Sequence, residues 1–387
     1  MALPCQRDAF LLSEEIHYLN CAYMSPLPAE VEEAGIQGIL RKRQPTDIRA
    51  SDFFSEQHEI RRRFAKLIGV SEPNRIAIIP SASYGAAVAA QNLPVKRGQN
   101  IVILHEQFPG NVYTWRKKAS DVGAELRTVA PSSTSPKSSD WNERILDRMD
   151  KDTAIISVPH VHWTDGTLFD LKAISQRARE LGTALVVDGT QSIGALPFDV
   201  AEIRPDVLIV AGYKWLLGPY SIGVAYFNSR FDEGVPLEET WIGRQGSQNF
   251  AGLVDYQELY HPGAIRYDVG ESSNFILLPM LTAALSLLQE WTPHAIQAYC
   301  GQLTDKLVRE VAEFGFSAEE RSHRSGHLLG LTLPNNLCLE SLKQELERRK
   351  IFLSVRGTSL RISPNVYNDR EDIDALVEAL AVAIKGR

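Results

Sequence analysis

Short apolar runs alternate with amphipathic helical patterns between Ser55 and Gly212, and this alternation restricts the fold more than any other feature of the chain. The runs are RIAIIP from Arg75, NIVILH from Asn100, TAIISVPHV from Thr153, TALVVDG from Thr183 and DVLIVAG from Asp206. Among the helical patterns, SEQHEIRRRFAKLIGV sets Ile60, Phe64, Leu67 and Ile68 on one face ahead of Gly69. LKAISQRARELG likewise groups Leu171, Ile174, Ala178 and Leu181 ahead of Gly182. Near-continuous apolar runs suit strands buried on both faces, and strands separated by helices pair in parallel through crossovers. The expected fold is therefore α/β, a large domain built on a mostly parallel, doubly wound sheet. In such sheets ligands bind beyond the carboxyl ends of the strands.

The pattern changes after Trp291. HLLGLTLP and SLRISP read as strands, with the helices SLKQELERRK and DIDALVEALAVAIKG around them. This predicts a smaller α+β domain, with residues 22–290 forming the large domain and residues 1–21 and 291–387 the small one. A length of 387 residues accommodates both. PSSTSPKSSD, Pro131 to Asp140, reads as a polar surface loop. FILLPMLTAALSLL, Phe275 to Leu288, is too short to span a bilayer, contains Pro279, and reads as a core helix. No internal repeat is visible.

A net charge of −7 argues against a nucleic-acid partner. The basic runs RKRQ, Arg41 to Gln44, and RRR, Arg61 to Arg63, read as solvated helix faces. The cysteines Cys5, Cys21, Cys300 and Cys338 have neither metal-ligand nor disulfide-framework spacing, which suits a reducing cytoplasm. MALPCQRDAFLLSEE lacks the cationic and apolar regions of a signal peptide. A metal site and a membrane partner are not expected. No GxGxxG or GxxxxGK[ST] follows the first strand, which argues against a nucleotide-binding domain.

The residues after the strands carry the chemistry. RIAIIP leads into Ser81-Ala82-Ser83-Tyr84-Gly85, a hydroxyl-rich turn opening a helix, and such a terminus can hold an anion. NIVILH leads to Phe108-Pro109, ALVV to Asp188 with Gln191 just beyond, and DVLIVAG to Tyr213-Lys214. Lysine is among the residues least often buried, so its place at the end of a core strand needs a reason. A helix cap, a core wall or a structural ion pair would explain each feature singly. Pyridoxal phosphate uses all of them at once. A lysine joins it as a Schiff base, and a carboxylate keeps its ring nitrogen protonated so that the ring accepts carbanion charge. Amides and hydroxyls take the phosphate, and an aromatic flanks the ring.

VVDGTQSIGALPFDV followed by DVLIVAGYKWLLGPYSIGVAYF resembles the signature of class V aminotransferase-like, fold-type I PLP-dependent enzymes. That group contains cysteine desulfurases, kynureninases, isopenicillin N epimerase-like proteins and several C–S lyases. FPGNVYTW, HVHWTDGTLFDL, GSQNFAGLVDYQELYHPGAIRYDVGESSNF and SVRGTSLRISPNVYN extend the resemblance over most of the chain. The resemblance implies that Lys214 is the Schiff-base lysine and Asp188 the partner of the pyridine nitrogen. It assigns Gln191 to the ring oxygen, Phe108 to the ring face, and Ala82, Ser83 and Tyr213 to the phosphate. Arg361 would grip the α-carboxylate of an amino-acid substrate. It also implies a homodimer, with the segment Tyr267 to Ser273 reaching the partner's phosphate site.

Two departures stand out. Ile351 to Leu360 holds no cysteine where desulfurases carry their persulfide residue, and Phe108 stands where they usually stack a histidine. Both point to the epimerase-like and kynureninase-like branch. His162 and Trp163 read either as substrate-pocket residues or as core, and Cys21 lies near the expected entrance. The activity implied proceeds through an external aldimine and a Cα carbanion, toward transamination or β-elimination of the C–S lyase type. Epimerisation, a desulfurase-like reaction without the persulfide cysteine, and a catalytically silent interaction protein are the alternatives.

Overall fold

The computed structural model describes residues 2–132, 138–334, 337–357 and 359–385. Part of the expected polar loop, residues 133–137, lies outside the described residues. The strands are β1 (His17–Tyr18), β2 (Ile76–Ile79), β3 (Asn100–Leu104), β4 (Glu125–Val129), β5 (Thr153–Pro159) and β6 (Ala184–Asp188). They continue as β7 (Val207–Ala211), β8 (Gly223–Phe227), β9 (Leu329–Thr332), β10 (Ile351–Phe352), β11 (Ser354–Arg356) and β12 (Ser359–Ile362).

Seven strands form the main sheet in the order β2-β8-β7-β6-β5-β3-β4. All neighbours pair in parallel except β8, which runs antiparallel to both β2 and β7. The five apolar runs read from the sequence are β2, β3, β5, β6 and β7. β4 and β8 are additions. β4 is an edge strand with an exposed glutamate and a half-buried arginine, so it shows no apolar run. β8 follows so soon after β7 that its apolar residues merge with the preceding segment. From β5 the chain steps to β6 and β7 on one side, whereas β3 and β4 lie on the other. Between β3 and β5 the order reverses, and crevices open at such points above the carboxyl ends of the strands.

The helices cover both faces for the reasons their spacing gives. Helix Asp52–Leu67 buries Ile60 and Phe64 completely and ends ahead of Gly69, whose φ of +72° suits glycine. Helix Leu171–Leu181 starts at Asp170, whose carboxylate accepts from the Lys172 and Ala173 amides, and stops at Gly182 in the left-handed conformation. Helix Leu277–Trp291 buries Leu281, Ala284, Leu285 and Leu288, as expected of a core helix. No helix among the described residues is long and apolar enough to cross a membrane.

One sequence expectation is overturned here. Arg61, read as part of a solvated basic face, is only 1% exposed. Its guanidinium forks onto the buried Asp268, donates to the Ile76 carbonyl at 2.7 Å, and ties the helix to β2. Asp268 also accepts from the Ile78 amide at 2.8 Å. Arg62 beside it does face solvent and pairs with Glu59.

In the C-terminal part, β11, β12 and β9 form an antiparallel sheet covered by helices Leu339–Arg348 and Arg370–Lys385. Leu307, Leu331, Leu342, Leu360, Leu376 and Leu380 share one apolar cluster there, joined by Leu19 from the N-terminal segment. β1 pairs in parallel with β10. We propose the division into residues 22–290 and residues 1–21 with 291–387 on this second cluster. The main core crosses it, taking in Phe10, Ile296, Cys300 and Tyr367.

Candidate active site

The turns after β2, β3, β5, β6 and β7 enclose a pocket of about 280 Å³. Ala82, Ser83, Phe108, Trp163, Asp188, Gln191, Tyr213 and Lys214 all line it. Residues from Ser83 to Lys214 thus meet at one sheet edge because parallel strands deliver their carboxyl ends to the same side.

Lys214 follows β7 on a turn that only small residues permit. A Cβ on Gly212 would sit 2.6 Å from the Ile222 carbonyl oxygen, and one on Gly194 would sit 2.1 Å from that of Trp215. The lysine is 6% exposed, and its amine makes no hydrogen bond or ion pair among the described residues. Its Nζ stands 5.3 Å from the Phe108 ring centroid and 5.4 Å from that of Tyr213. Burial pulls its pKa down to about 8, opposed by the Asp188 carboxylate. At pH 7 about a tenth of the molecules would therefore carry the neutral amine, far more than for a solvated lysine. In the cofactor-free protein, modification of Lys214 by an amine-selective acylating reagent is expected to rise with pH through a midpoint near 8. A midpoint in the ordinary lysine range would show that the amine is hydrated rather than buried.

Asp188 ends β6 and is 9% exposed. It accepts from the Thr190 amide at 2.9 Å and has no cation within ion-pair distance among the described residues. Burial raises its pKa, and the Thr190 hydrogen bonds and Lys214 only partly offset this. A buried carboxylate and a buried amine facing one pocket without pairing are each costly to hold. A ring carrying a protonated nitrogen and an aldehyde supplies the missing partner to both. The donor set fits pyridoxal phosphate.

The rest of the lining agrees. Ser81 Oγ caps helix Ala82–Asn92 through the Tyr84 amide and lies 3.0 Å from Ser83 Oγ, giving two hydroxyls and a helix terminus for a phosphate. Tyr213 packs on Tyr220 at 4.6 Å between centroids. Phe108 is 41% exposed and meets Trp163 edge to face at 5.5 Å. Gln191 is held at both ends: its Nε2 donates to the Ala22 carbonyl at 3.1 Å and its Oε1 accepts from Trp215 Nε1 at 2.9 Å. One N–H of that amide remains for a ligand.

Arg361 lies beside this lining rather than in it. It is 1% exposed, donates to the Trp163 carbonyl at 3.0 Å, and lies 3.3 Å from Ser354 Oγ. Its Nε is buried without a partner, and no carboxylate pairs with it among the described residues. Burial, then the charge of Arg356, lowers its pKa to about 10.

His162 is placed elsewhere. Its ring packs at 5.2 Å from Trp141, its Nδ1 meets Thr164 Oγ1 at 2.6 Å, and it does not line the pocket. Neighbours leaving a strand face opposite ways, so Trp163 enters the pocket and His162 the core. Cys21 is fully buried, bonded by Asn365 at 3.3 Å, and burial pushes its thiol up to about 12. It too is absent from the lining, as is every other cysteine. In the segment Tyr267 to Ser273, Tyr267, Asp268, Ser272 and Ser273 are buried, while Glu271 is exposed with φ +55°. Sequence reasoning named the Ser81 turn but missed the supporting residues Thr190 and Trp215, which stood inside the quoted motifs, and Asn20, whose Oδ1 lies 3.5 Å from Arg361 Nη2 and which carried no signal.

A doubly wound sheet with a lysine and an aspartate at adjacent strand ends defines a fold-type I PLP-dependent protein. The Aminotransferase class-V family matches residues 43–376, and the chain belongs to that family. The uncharacterized aminotransferase YcbU of Bacillus subtilis (strain 168) is 27% identical over 325 residues, 83% of this chain and 82% of the relative. Isopenicillin N epimerase of Streptomyces clavuligerus is 26% identical over 387 residues, 97% and 96% respectively. In fold, the chain is similar to the apo cysteine desulfurase of Thermococcus onnurineus NA1, with a TM-score of 0.85, 20% identity and 100% of both chains covered. A C-DES mutant with glycine covalently linked to its PLP cofactor gives a TM-score of 0.86 at 21% identity, covering 97% of this chain and 99% of that one. The cofactor is pyridoxal phosphate.

Proposed function

We propose that this chain acts on a free α-amino acid, in a transamination or a β-elimination of the C–S lyase type, at the site formed by Lys214, Asp188 and Arg361. The observation that carries this reading is the burial of Lys214 and Asp188, without an ion pair, in one pocket, with Arg361 buried beside it behind the lining residue Trp163. Bound pyridoxal phosphate supplies an electron sink for negative charge at the substrate's α-carbon. Arg361 receives the α-carboxylate in its planar fork and so fixes how the α-carbon presents its proton. Lys214, whose burial favours the neutral amine, takes that proton as general base and returns it at the atom the pocket favours. Asp188 holds a proton at the ring nitrogen. Ala82, Ser83 and Tyr213 serve the phosphate, Gln191 the ring oxygen, and Phe108 with Trp163 excludes water from the reacting face. The persulfide route of desulfurases lacks its nucleophile, since no cysteine lines the pocket.

Arg361→Gln is expected to raise KM for the amino-acid substrate about 10- to 100-fold, the value of a charge-assisted hydrogen bond, with a smaller change in kcat. Equal KM values for both proteins would remove Arg361 from substrate binding.

We also propose a homodimer. Trp241, Phe250, Val254, Tyr256 and Leu259 are all exposed, and Phe53 and Trp241 meet the Phe250 ring edge to face. An apolar face of this kind marks an interaction surface. Sedimentation at assay concentrations is expected to give twice the 43.1 kDa chain mass; a single-chain mass would contradict it.

A further inference from the structure

Arg356, on the same hairpin as Arg361, is a second guanidinium without a counter-charge. β11 and β12 pair antiparallel, with Ser354 opposite Arg361 and Arg356 opposite Ser359. Residues two apart on a strand share a face, and so do directly paired residues. Ser354, Arg356 and Arg361 therefore project to the same side of the hairpin. The contacts agree. Both guanidinium carbons stand by the Trp163 indole, Arg356 at 5.5 Å from its centroid and Arg361 at 6.0 Å. Trp163 itself lines the pocket.

Neither arginine has a carboxylate partner among the described residues. Arg356 Nη1 reaches only the neighbouring Val355 carbonyl, at 2.8 Å, and its Nε is buried with no partner. The two charges oppose one another: Arg356 helps to lower the Arg361 pKa, and both lower that of Lys214. Two like charges on one hairpin face are held at a cost unless an anion joins them. An α-carboxylate on Arg361 neutralises one of them and leaves the other. Gly357, with φ +55°, turns the chain directly after Arg356 and leaves the side chain at the hairpin tip, where it can adjust to a ligand.

We propose that the substrate is an α-amino acid whose side chain carries a second acidic group, with Arg361 taking the α-carboxylate and Arg356 the distal acid. This names the substrate class of the proposed reaction and rests on that reading.

The test titrates the holoenzyme with L-glutamate against L-glutamine and L-aspartate against L-asparagine, following the visible band of the cofactor. Each pair differs little in shape and chiefly in the distal charge. The wild type is expected to prefer the acid tenfold or more in at least one pair. Arg356→Gln is expected to bring that ratio close to one. Arg356→Lys, which keeps the charge and loses the fork, is expected to retain a reduced preference, which a purely structural role for Arg356 would not produce. Arg361→Gln is expected to weaken both members of a pair. A wild type that does not distinguish acid from amide would overturn the proposal. So would an Arg356→Gln protein that weakens acid and amide alike, because the two arginines would then share one carboxylate. A band that responds to neutral amino acids alone would keep the proposed reaction and reject the acidic substrate. A protein with no visible band would reject both.

Discussion

Replacing Lys214 with alanine is expected to lower turnover of the amino-acid substrate between about 10²- and 10⁴-fold, the usual contribution of a positioned general base. The size of the effect follows from the isolation of the amine. The Lys214 amine is buried and without a hydrogen-bond partner, and no other lysine among the described residues lines the pocket to replace it as a base. The variant should fold, because the lysine donates no bond to the scaffold and its removal relieves a buried charge. Purified Lys214→Ala with near wild-type turnover would mean that the proton is moved by another group, and the assigned mechanism would fall.

Asp188→Asn is expected to cost about 10²- to 10³-fold in turnover, the range seen when one preorganised electrostatic partner is removed from a water-excluded site. Asparagine keeps the shape of the side chain and an oxygen that can still accept from the Thr190 amide. It cannot balance a protonated ring nitrogen, so the ring loses much of its capacity to accept charge. The change therefore separates electrostatics from packing. Folding stability should hold or rise, since burial already raises the Asp188 pKa and disfavours the ionised form. A variant as active as the wild type would show that the carboxylate is structural.

The site was more legible in the sequence than the fold around it. Lys214 and Asp188 were readable because each breaks an apolar run at the carboxyl end of a strand, where a parallel sheet gathers its ligands. Trp163 and His162 were not separable, because adjacent residues at a strand exit face opposite ways and the register was not fixed by the sequence. Arg61 looked solvated because its partner, Asp268, lies in a distant part of the chain, and local charge patterns carry no trace of such a pair. β4 was hidden by its polar edge, and β8 by its closeness to β7. The supports of Arg361, Asn20 and Ser354, come from opposite ends of the sequence and meet only when β1 pairs with β10.

Position also explains why Phe108 and the lack of a loop cysteine matter. An aromatic ring at the exit of β3 lies 5.3 Å from the lysine and has no titratable proton, so in the proposed reaction it would flank the cofactor without competing for its chemistry. The proposed reaction then leaves proton movement to Lys214 and specificity to the arginine hairpin.

The central claim is that Lys214 is the covalent anchor of pyridoxal phosphate, and it is tested most directly by the visible absorption spectrum of the purified protein before and after borohydride, with peptide mapping of the reduced product. A visible band that borohydride abolishes, with the adduct on the peptide containing Lys214, is the predicted result. No band after addition of pyridoxal phosphate, or an adduct on another lysine, would contradict it.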